Sequence, residues 1–332
     1  MIKPFLGGAI LCATLFTSCG EVRAESGPLA QAAATNPQVV DTAPHEVRMI
    51  EVEPGVTLEV LDWGGAGEPM VMLTGLGNNA HVFDNFADQF TDSFRVIAIT
   101  RRGFGASSRP ESGYDLATRA LDDVKVLDAL GLDQVIFVGH SIAGDELSKL
   151  GSAYPDRVKK LVYLDAYDYG VSPPPFPTPE FSERDLRSLR DFAAANARFF
   201  GHREPEAAWS SEYQVNAAGN IIGPVSPEES SEKVHAGSEP ARFDQIQAPV
   251  LAILSPLVPE PTFRHYLSEA QKVEFDRLFP AAIAWQDDSR RRFREGVRNA
   301  IIVESPGGYH YNFITDEALV VKEMRKFLLP EE

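Results

Sequence analysis

From residue 46 to residue 164 the chain alternates short apolar runs with longer stretches of helical spacing. Residues 47–52 and 58–63 predict an opening pair of strands, because apolar and β-branched residues dominate both. Residues 70–73 predict a buried strand that stops at Thr74-Gly75-Leu76-Gly77. Residues 82–90 have helical spacing, and 95–100 predict another strand. Residues 116–130 predict a long helix with Leu121, Val124, Leu127 and Leu130 on one face and Gly131 closing it. A strand at 135–138, a helix at 146–153 and a strand at 158–164 follow. Late in the chain, 250–254 and 300–303 predict two further strands, and 317–328 a closing helix. Strands that alternate with helices imply an α/β fold, a mostly parallel sheet covered on both faces.

Two segments interrupt this rhythm. Residues 169–243 begin with Pro173-Pro174-Pro175-Phe176-Pro177 and continue through helical stretches such as 186–200, with little strand character. They predict an inserted helical cap, placed over the carboxyl ends of the strands where open α/β sheets bind ligands. Residues 263–297 predict a second helical insert. No internal repeat is visible.

The chain before residue 46 reads differently. Lys3 precedes an apolar run over residues 5–16, too short for a permanent membrane span and laid out like a secretory signal. Cleavage after Ala24 would release a soluble exported protein, periplasmic or secreted. Leu15-Phe16-Thr17-Ser18-Cys19 offers a lipoprotein alternative in which Cys19 carries a lipid anchor, the one membrane contact expected. Residues 25–45, rich in Ala, Pro, Gln, Asn and Thr, predict a flexible linker; residues 46–332 form the folded domain.

Composition narrows the partners. The 332 residues carry a net charge of −17 and are 44% hydrophobic, which excludes a nucleic-acid-binding face and allows a real core. The two cysteines, Cys12 and Cys19, both fall in the leader, so no disulfide is expected in the mature chain.

Chemistry enters at Gly139-His140-Ser141-Ile142-Ala143-Gly144, between the strand at 135–138 and the next helix. A serine on a tight strand-to-helix turn needs small neighbours. Gly139 stands two before it and Ala143 two after, with Gly144 letting the helix pack close. Such a nucleophile needs a general base and an acid to orient it. Of seven histidines, His310 lies on the glycine-rich loop Ser305-Pro306-Gly307-Gly308-Tyr309-His310 before the final helix, while His140, beside the serine, is expected to point away.

Together with Arg101-Arg102-Gly103-Phe104-Gly105-Ala106-Ser107-Ser108 and Tyr154-Pro155-Asp156-Arg157-Val158, these motifs resemble the α/β-hydrolase fold superfamily, specifically its capped, serine-nucleophile, esterase- or lipase-like members. The resemblance covers nearly everything after the leader except the cap. It implies a mostly parallel eight-stranded sheet flanked by helices, with Ser141 as nucleophile and His310 as base. The triad acid is expected at Asp165, directly after the strand at 158–164, with Glu260 and Asp168 as alternatives. Leu76 and Ile142 would supply the backbone N–H donors of an oxyanion hole. The reaction implied is hydrolysis of a small carboxylic ester through an acyl-enzyme, without cofactor or metal. An amide or peptide hydrolase of the prolyl aminopeptidase type is the alternative within enzymes, and a non-catalytic ligand receptor the alternative outside them. Nothing in the sequence sets the oligomeric state.

Overall fold

The computed structural model describes residues 41–167, 170, 177–256, 262–298 and 300–330. The leader and the linker up to residue 40 lie outside them, as do Asp168 and Glu260. In chain order the strands are β1 (Glu46–Glu53), β2 (Val56–Gly64), β3 (Glu68–Leu73), β4 (Phe94–Ile99), β5 (Val135–His140), β6 (Val158–Leu164), β7 (Tyr213–Val215), β8 (Ile221–Pro224), β9 (Val250–Leu254) and β10 (Ile301–Glu304). The α-helices are α1 (Asp84–Ala87), α2 (Leu116–Leu130), α3 (Ala143–Ala153), α4 (Leu189–Phe200), α5 (Glu206–Glu212), α6 (Glu228–Ala236), α7 (Glu269–Gly296), α8 (Asn312–Thr315) and α9 (Glu317–Leu328).

Eight strands form one sheet in the order β1-β2-β4-β3-β5-β6-β9-β10. β1 and β4 each pair antiparallel with β2, and every other neighbour pairs parallel. The chain runs outward from β3 to β4 and then crosses back to β5 on the other side of β3. The carboxyl ends of β3 and β5 are therefore adjacent where the winding reverses, the place where a crevice opens in such sheets. Leu73 pairs with Gly139 there, so the loop after β3 and the turn at Ser141 leave the sheet side by side.

Alternate residues of the central strands face two separate cores. Val71, Leu73, Phe137, Leu161 and Tyr163 pack toward α2, α3 and the C-terminal part of α7. Met70, Met72, Ile136, Val138, Val162 and Leu164 pack toward α1 and α9. This period-two division buries both faces of the central strands, which is why stretches such as residues 70–73 and 135–138 read as continuous apolar runs.

A third core holds the cap. Phe192, Phe199, Phe200, Trp209 and Tyr213 pack with Phe263, Leu267, Phe275, Phe279 and Ala282. Both inserts thus contribute to one lobe, and the single helix α7 runs from that lobe down to the main core, where Phe293 is buried. The cap region also contains the antiparallel hairpin β7–β8, which the sequence reading treated as helical insert. Val234 of α6, by contrast, belongs to the main core.

One predicted face is corrected. On α2 the buried stripe runs through Leu116, Ala120, Val124 and Leu127, while Leu121 is 37% exposed. Arg119, Asp122 and Asp123 are also buried on this helix, so polar residues lie where a stripe of leucines was expected. Arg102 explains part of this, since its guanidinium meets both oxygens of Asp122 at 2.7 and 2.8 Å.

Candidate active site

β5 ends at His140, and Ser141 follows with φ +56° before α3 begins at Ala143. A left-handed backbone at a non-glycine residue is strained and is held only by its surroundings. Among the described residues, the one other non-glycine position with positive φ is Asp165, at +42°. Both sit at the first residue past a central strand.

The small residues around Ser141 have specific neighbours. A Cβ on Gly139 would come 2.8 Å from a Leu147 methyl and 3.1 Å from the Ala143 side chain. A Cβ on Gly144 would meet the backbone of Tyr167, at 2.4 Å from its carbonyl oxygen, where nothing can yield. Gly144 therefore lets α3 lie against the chain leaving β6.

The structure brings Ser141, His310 and Asp165 together. His310 Nε2 lies 2.8 Å from Ser141 Oγ, and His310 Nδ1 lies 2.8 Å from Asp165 Oδ2. The other oxygen, Asp165 Oδ1, accepts from the Tyr167 hydroxyl at 2.8 Å and from the Ser255 N–H at 2.9 Å. Gln286 on α7 donates in turn to the Tyr167 hydroxyl at 3.0 Å. Arg290, also on α7, brings Nη2 to 4.0 Å from Asp165 Oδ1 and donates to the carbonyl of Ser255. The carboxylate is thus buried with both oxygens occupied, as a buried charge requires.

His140 does not point away from the site. It lies beneath the site, with Nε2 2.9 Å from the carbonyl oxygen of His310 and its ring centroid 4.7 Å from that of His310. As the last residue of β5 it projects toward the loop after β3, where a Cβ on Gly75 would come 2.8 Å from its Nδ1. Burial, reinforced by the neighbouring His310, holds His140 well below the usual imidazole range. It is therefore neutral, and Nε2–H donates to the His310 carbonyl.

The N–H groups of Leu76 and Ile142 make no hydrogen bond within the described residues. Ile142 stands at the start of α3, where unpaired N–H groups and the helix dipole favour negative charge. The loop holding Leu76 is fixed from two sides. Arg101 donates to the carbonyls of Thr74 at 2.9 Å and Gly75 at 3.3 Å, and pairs with Glu146 of α3 at 2.6 and 2.5 Å. Burial alone would push the Glu146 carboxyl up, but Arg101 and Arg119 outweigh it and hold it below the ordinary range.

From the cap side, Glu204 and Glu212 reach the same loop. Asn78 Nδ2 donates to Glu204 Oε2 at 3.2 Å, and Asn79 donates to Glu212 through its backbone N–H and its side chain, at 3.2 and 3.1 Å. Burial raises both carboxyls well above the ordinary range, Glu212 further through Glu204. His202, 3.3 Å from Glu204, is lowered to about 4 by burial. We read the pair as neutral, since a buried ion pair would have to recover two desolvation penalties. A protonated Glu204 Oε1 then donates to His202 Nε2, while His202 Nδ1–H donates to the Phe200 carbonyl at 3.3 Å. The sequence reading found neither Arg101 and Glu146 nor this acid pair as parts of the site; their partners are distant in sequence.

The expectation of no metal site rested on spacing within single segments. The fold joins Asp41 and His45 to His81 and Asp84, a group of four possible ligands drawn from two segments.

A sequence profile for the alpha/beta hydrolase fold matches residues 68–214. Over 114 residues the chain is 32% identical to the 2-(acetamidomethylene)succinate hydrolase of Mesorhizobium japonicum, covering 34% of this chain and 41% of that protein. Over 115 residues it is 36% identical to a non-heme chloroperoxidase of Streptomyces lividans, covering 34% of this chain and 42% of that protein. The chain thus aligns with about two-fifths of the length of these relatives. Among solved structures, E-2-(acetamidomethylene)succinate hydrolase superposes with a TM-score of 0.62 at 22% identity, over 86% of this chain and 99% of that one. Est816, described as degrading N-acyl homoserine lactones, superposes with a TM-score of 0.57 at 21% identity, over 85% of this chain and all of the other. These structural likenesses concern the fold.

Proposed function

Since this chain belongs to the α/β-hydrolase fold superfamily, we propose that it is a serine hydrolase that cleaves a small carboxylic ester through an acyl-enzyme. The continuous chain Ser141 Oγ–His310–Asp165, with both contacts at 2.8 Å, carries this reading. The Ser141 hydroxyl donates to His310 Nε2, and His310 Nδ1–H donates to Asp165. As Oγ attacks the ester carbonyl, its proton passes to Nε2, and the carbonyl electrons move onto the oxygen. The N–H groups of Leu76 and Ile142 stabilise that oxyanion. Collapse of the intermediate expels the alkoxide, which takes the proton from Nε2 and leaves as the alcohol. Water then repeats the sequence on the acyl-enzyme, releasing the acid and restoring Ser141.

Some homologues in this superfamily are named epoxide hydrolase or dehalogenase. Chemistry through a carboxylate nucleophile would require an acid at the turn, which here carries Ser141. A panel of p-nitrophenyl esters of increasing acyl length, run beside matching p-nitroanilides, tests the proposal. Ester turnover that disappears in Ser141→Ala supports it. Faster anilide than ester turnover would move the function to amide hydrolysis, and binding without turnover would make the protein a receptor.

A further inference from the structure

Where the described chain begins, four side chains from two segments converge away from the triad. Asp41 and His45 lie four apart just ahead of β1. His81 and Asp84 lie three apart, across the 3-10 turn Ala80–Phe83 and the start of α1. His45 Nε2 is 3.0 Å from Asp41 Oδ2 and 3.4 Å from Asp84 Oδ1. His81 Nδ1 is 3.6 Å from Asp41 Oδ2 and 3.2 Å from Asp84 Oδ2. One donor atom from each of the four residues lies within 4.8 Å of all the others.

These separations match a metal polyhedron. Zinc bound to imidazole nitrogen and carboxylate oxygen at about 2.0–2.2 Å in a tetrahedron separates its ligands by roughly 3.3–3.6 Å. The nitrogen–oxygen distances of 3.0, 3.2, 3.4 and 3.6 Å bracket that edge, Asp84 facing His45 through Oδ1 and His81 through Oδ2. With one donor from each residue the separations extend to within 4.8 Å, so the side chains would draw in around the ion.

Hydrogen bonding does not satisfy the cluster by itself. The His45 side chain is 1% exposed; its Nδ1 has no hydrogen-bond partner within the described residues, while Nε2 faces the carboxylates of Asp41 and Asp84. Asp84 Oδ1, on a side chain 5% exposed, meets only His45 Nε2 among the described residues, at 3.4 Å. Asp41 Oδ1 is taken by the Ala43 N–H at 3.0 Å, which leaves Oδ2 turned to the histidines. The Asp41 side chain is 32% exposed, giving an ion a way in. Two carboxylates and two neutral imidazoles would neutralise a divalent cation. Outside the four, Glu59 Oε1 lies 3.9 Å from His81 Nε2, the nitrogen facing away from the cluster.

We propose that Asp41, His45, His81 and Asp84 bind one Zn²⁺ per chain in a closed, structural tetrahedral site. Four protein ligands leave no open position for chemistry. The ion would fasten the segment before β1 to the turn that follows the Leu76 loop. Nitrogen and oxygen donors in this number favour zinc over calcium or magnesium, which take six or more oxygens.

Isothermal titration of the chelator-treated full chain with ZnCl₂ tests the site, together with the visible spectrum of the Co²⁺ form and the melting temperature with and without zinc. The expected result is one equivalent bound, tetrahedral cobalt bands and a raised melting temperature. His45→Ala and the nearly isosteric Asp84→Asn should each weaken binding by more than ~100-fold, beyond the loss expected from an outer partner alone. Asp84→Asn keeps the proposal testable if His45→Ala fails to fold. No zinc binding by the wild type, unchanged affinity in Asp84→Asn, or a preference for Ca²⁺ or Mg²⁺ would each overturn it.

Discussion

Arg101 grips Glu146 at two points, Nε to Oε1 at 2.6 Å and Nη2 to Oε2 at 2.5 Å, while the same guanidinium donates to the carbonyls of Thr74 and Gly75. One buried ion pair thus ties the loop holding Leu76 to the helix that begins beside Ile142, setting the spacing of the two proposed oxyanion donors. Breaking a buried pair from one side leaves an uncompensated charge at a cost of about 3–5 kcal/mol, whereas replacing both partners by apolar residues is far cheaper. Arg101→Met and Glu146→Leu should therefore each lower the urea midpoint strongly. The double variant should be less destabilised than the sum of the two single losses. Arg119, whose Nη1 lies 3.3 Å from Glu146, then loses that carboxylate, so stability should return only in part and activity not at all. Simple addition of the two stability losses would show that the pair is not coupled in this way.

Asp165 offers a test that its own hydrogen bonds sharpen. Oδ1 is fixed as an acceptor by the Tyr167 hydroxyl and the Ser255 N–H. In Asp165→Asn the carbonyl oxygen would keep those partners, so the new NH₂ group would face His310 Nδ1. That arrangement stabilises the imidazole tautomer whose Nε2 carries the proton and cannot receive one from Ser141. Turnover should fall by up to ~10⁴-fold, the scale known for the corresponding change in another triad, with the circular dichroism spectrum unchanged. Near-normal turnover would move the acid to another residue.

Glu204 gives a pH-dependent prediction. Burial raises its carboxyl well above the ordinary range. Above pH ~4.3 the unfolded chain loses this proton while the folded chain keeps it, so wild-type stability falls as pH rises until the folded group also ionises. Glu204→Gln keeps an NH₂ donor toward His202 and an oxygen acceptor toward Asn78, with no proton to lose. The variant should match wild type near pH ~4 and exceed it increasingly as pH rises, until the folded Glu204 itself ionises, by at most ~1.4 kcal/mol per pH unit. His202, lowered to about 4 by burial, works in the opposite direction: its contribution is present above the ordinary imidazole value near 6.5 and lost as pH falls toward 4. Both proteins share that loss, so it cancels to first order in the difference. A stability gap independent of pH would contradict a buried, protonated Glu204.

The sheet was legible because its central strands are buried on both faces and read as apolar runs, unbroken at residues 250–254, which coincide with β9, and interrupted by Lys159 and Lys160 only near the start of 158–164, which coincides with β6. That Ser141, Asp165 and His310 would converge as candidates was legible because each stands at a strand end or in a glycine-rich loop. The buried face of α2 was not, because Arg119, Asp122 and Asp123 are buried on it and Leu121 is exposed. Hydrophobic periodicity cannot register a polar face satisfied by distant partners. The same limit hid Arg101, Glu146, Glu204 and Glu212, whose contacts around the Leu76 loop span 26 to 133 residues. The hairpin β7–β8 was missed because its strands have only three and four residues.

The central proposal, that Ser141 is the nucleophile activated by His310, is tested most directly by fluorophosphonate labelling followed by peptide mapping. One adduct per chain, on Ser141, absent in Ser141→Ala and formed far more slowly in His310→Ala, is the result expected. An adduct on another serine, or undiminished labelling in His310→Ala, would contradict it.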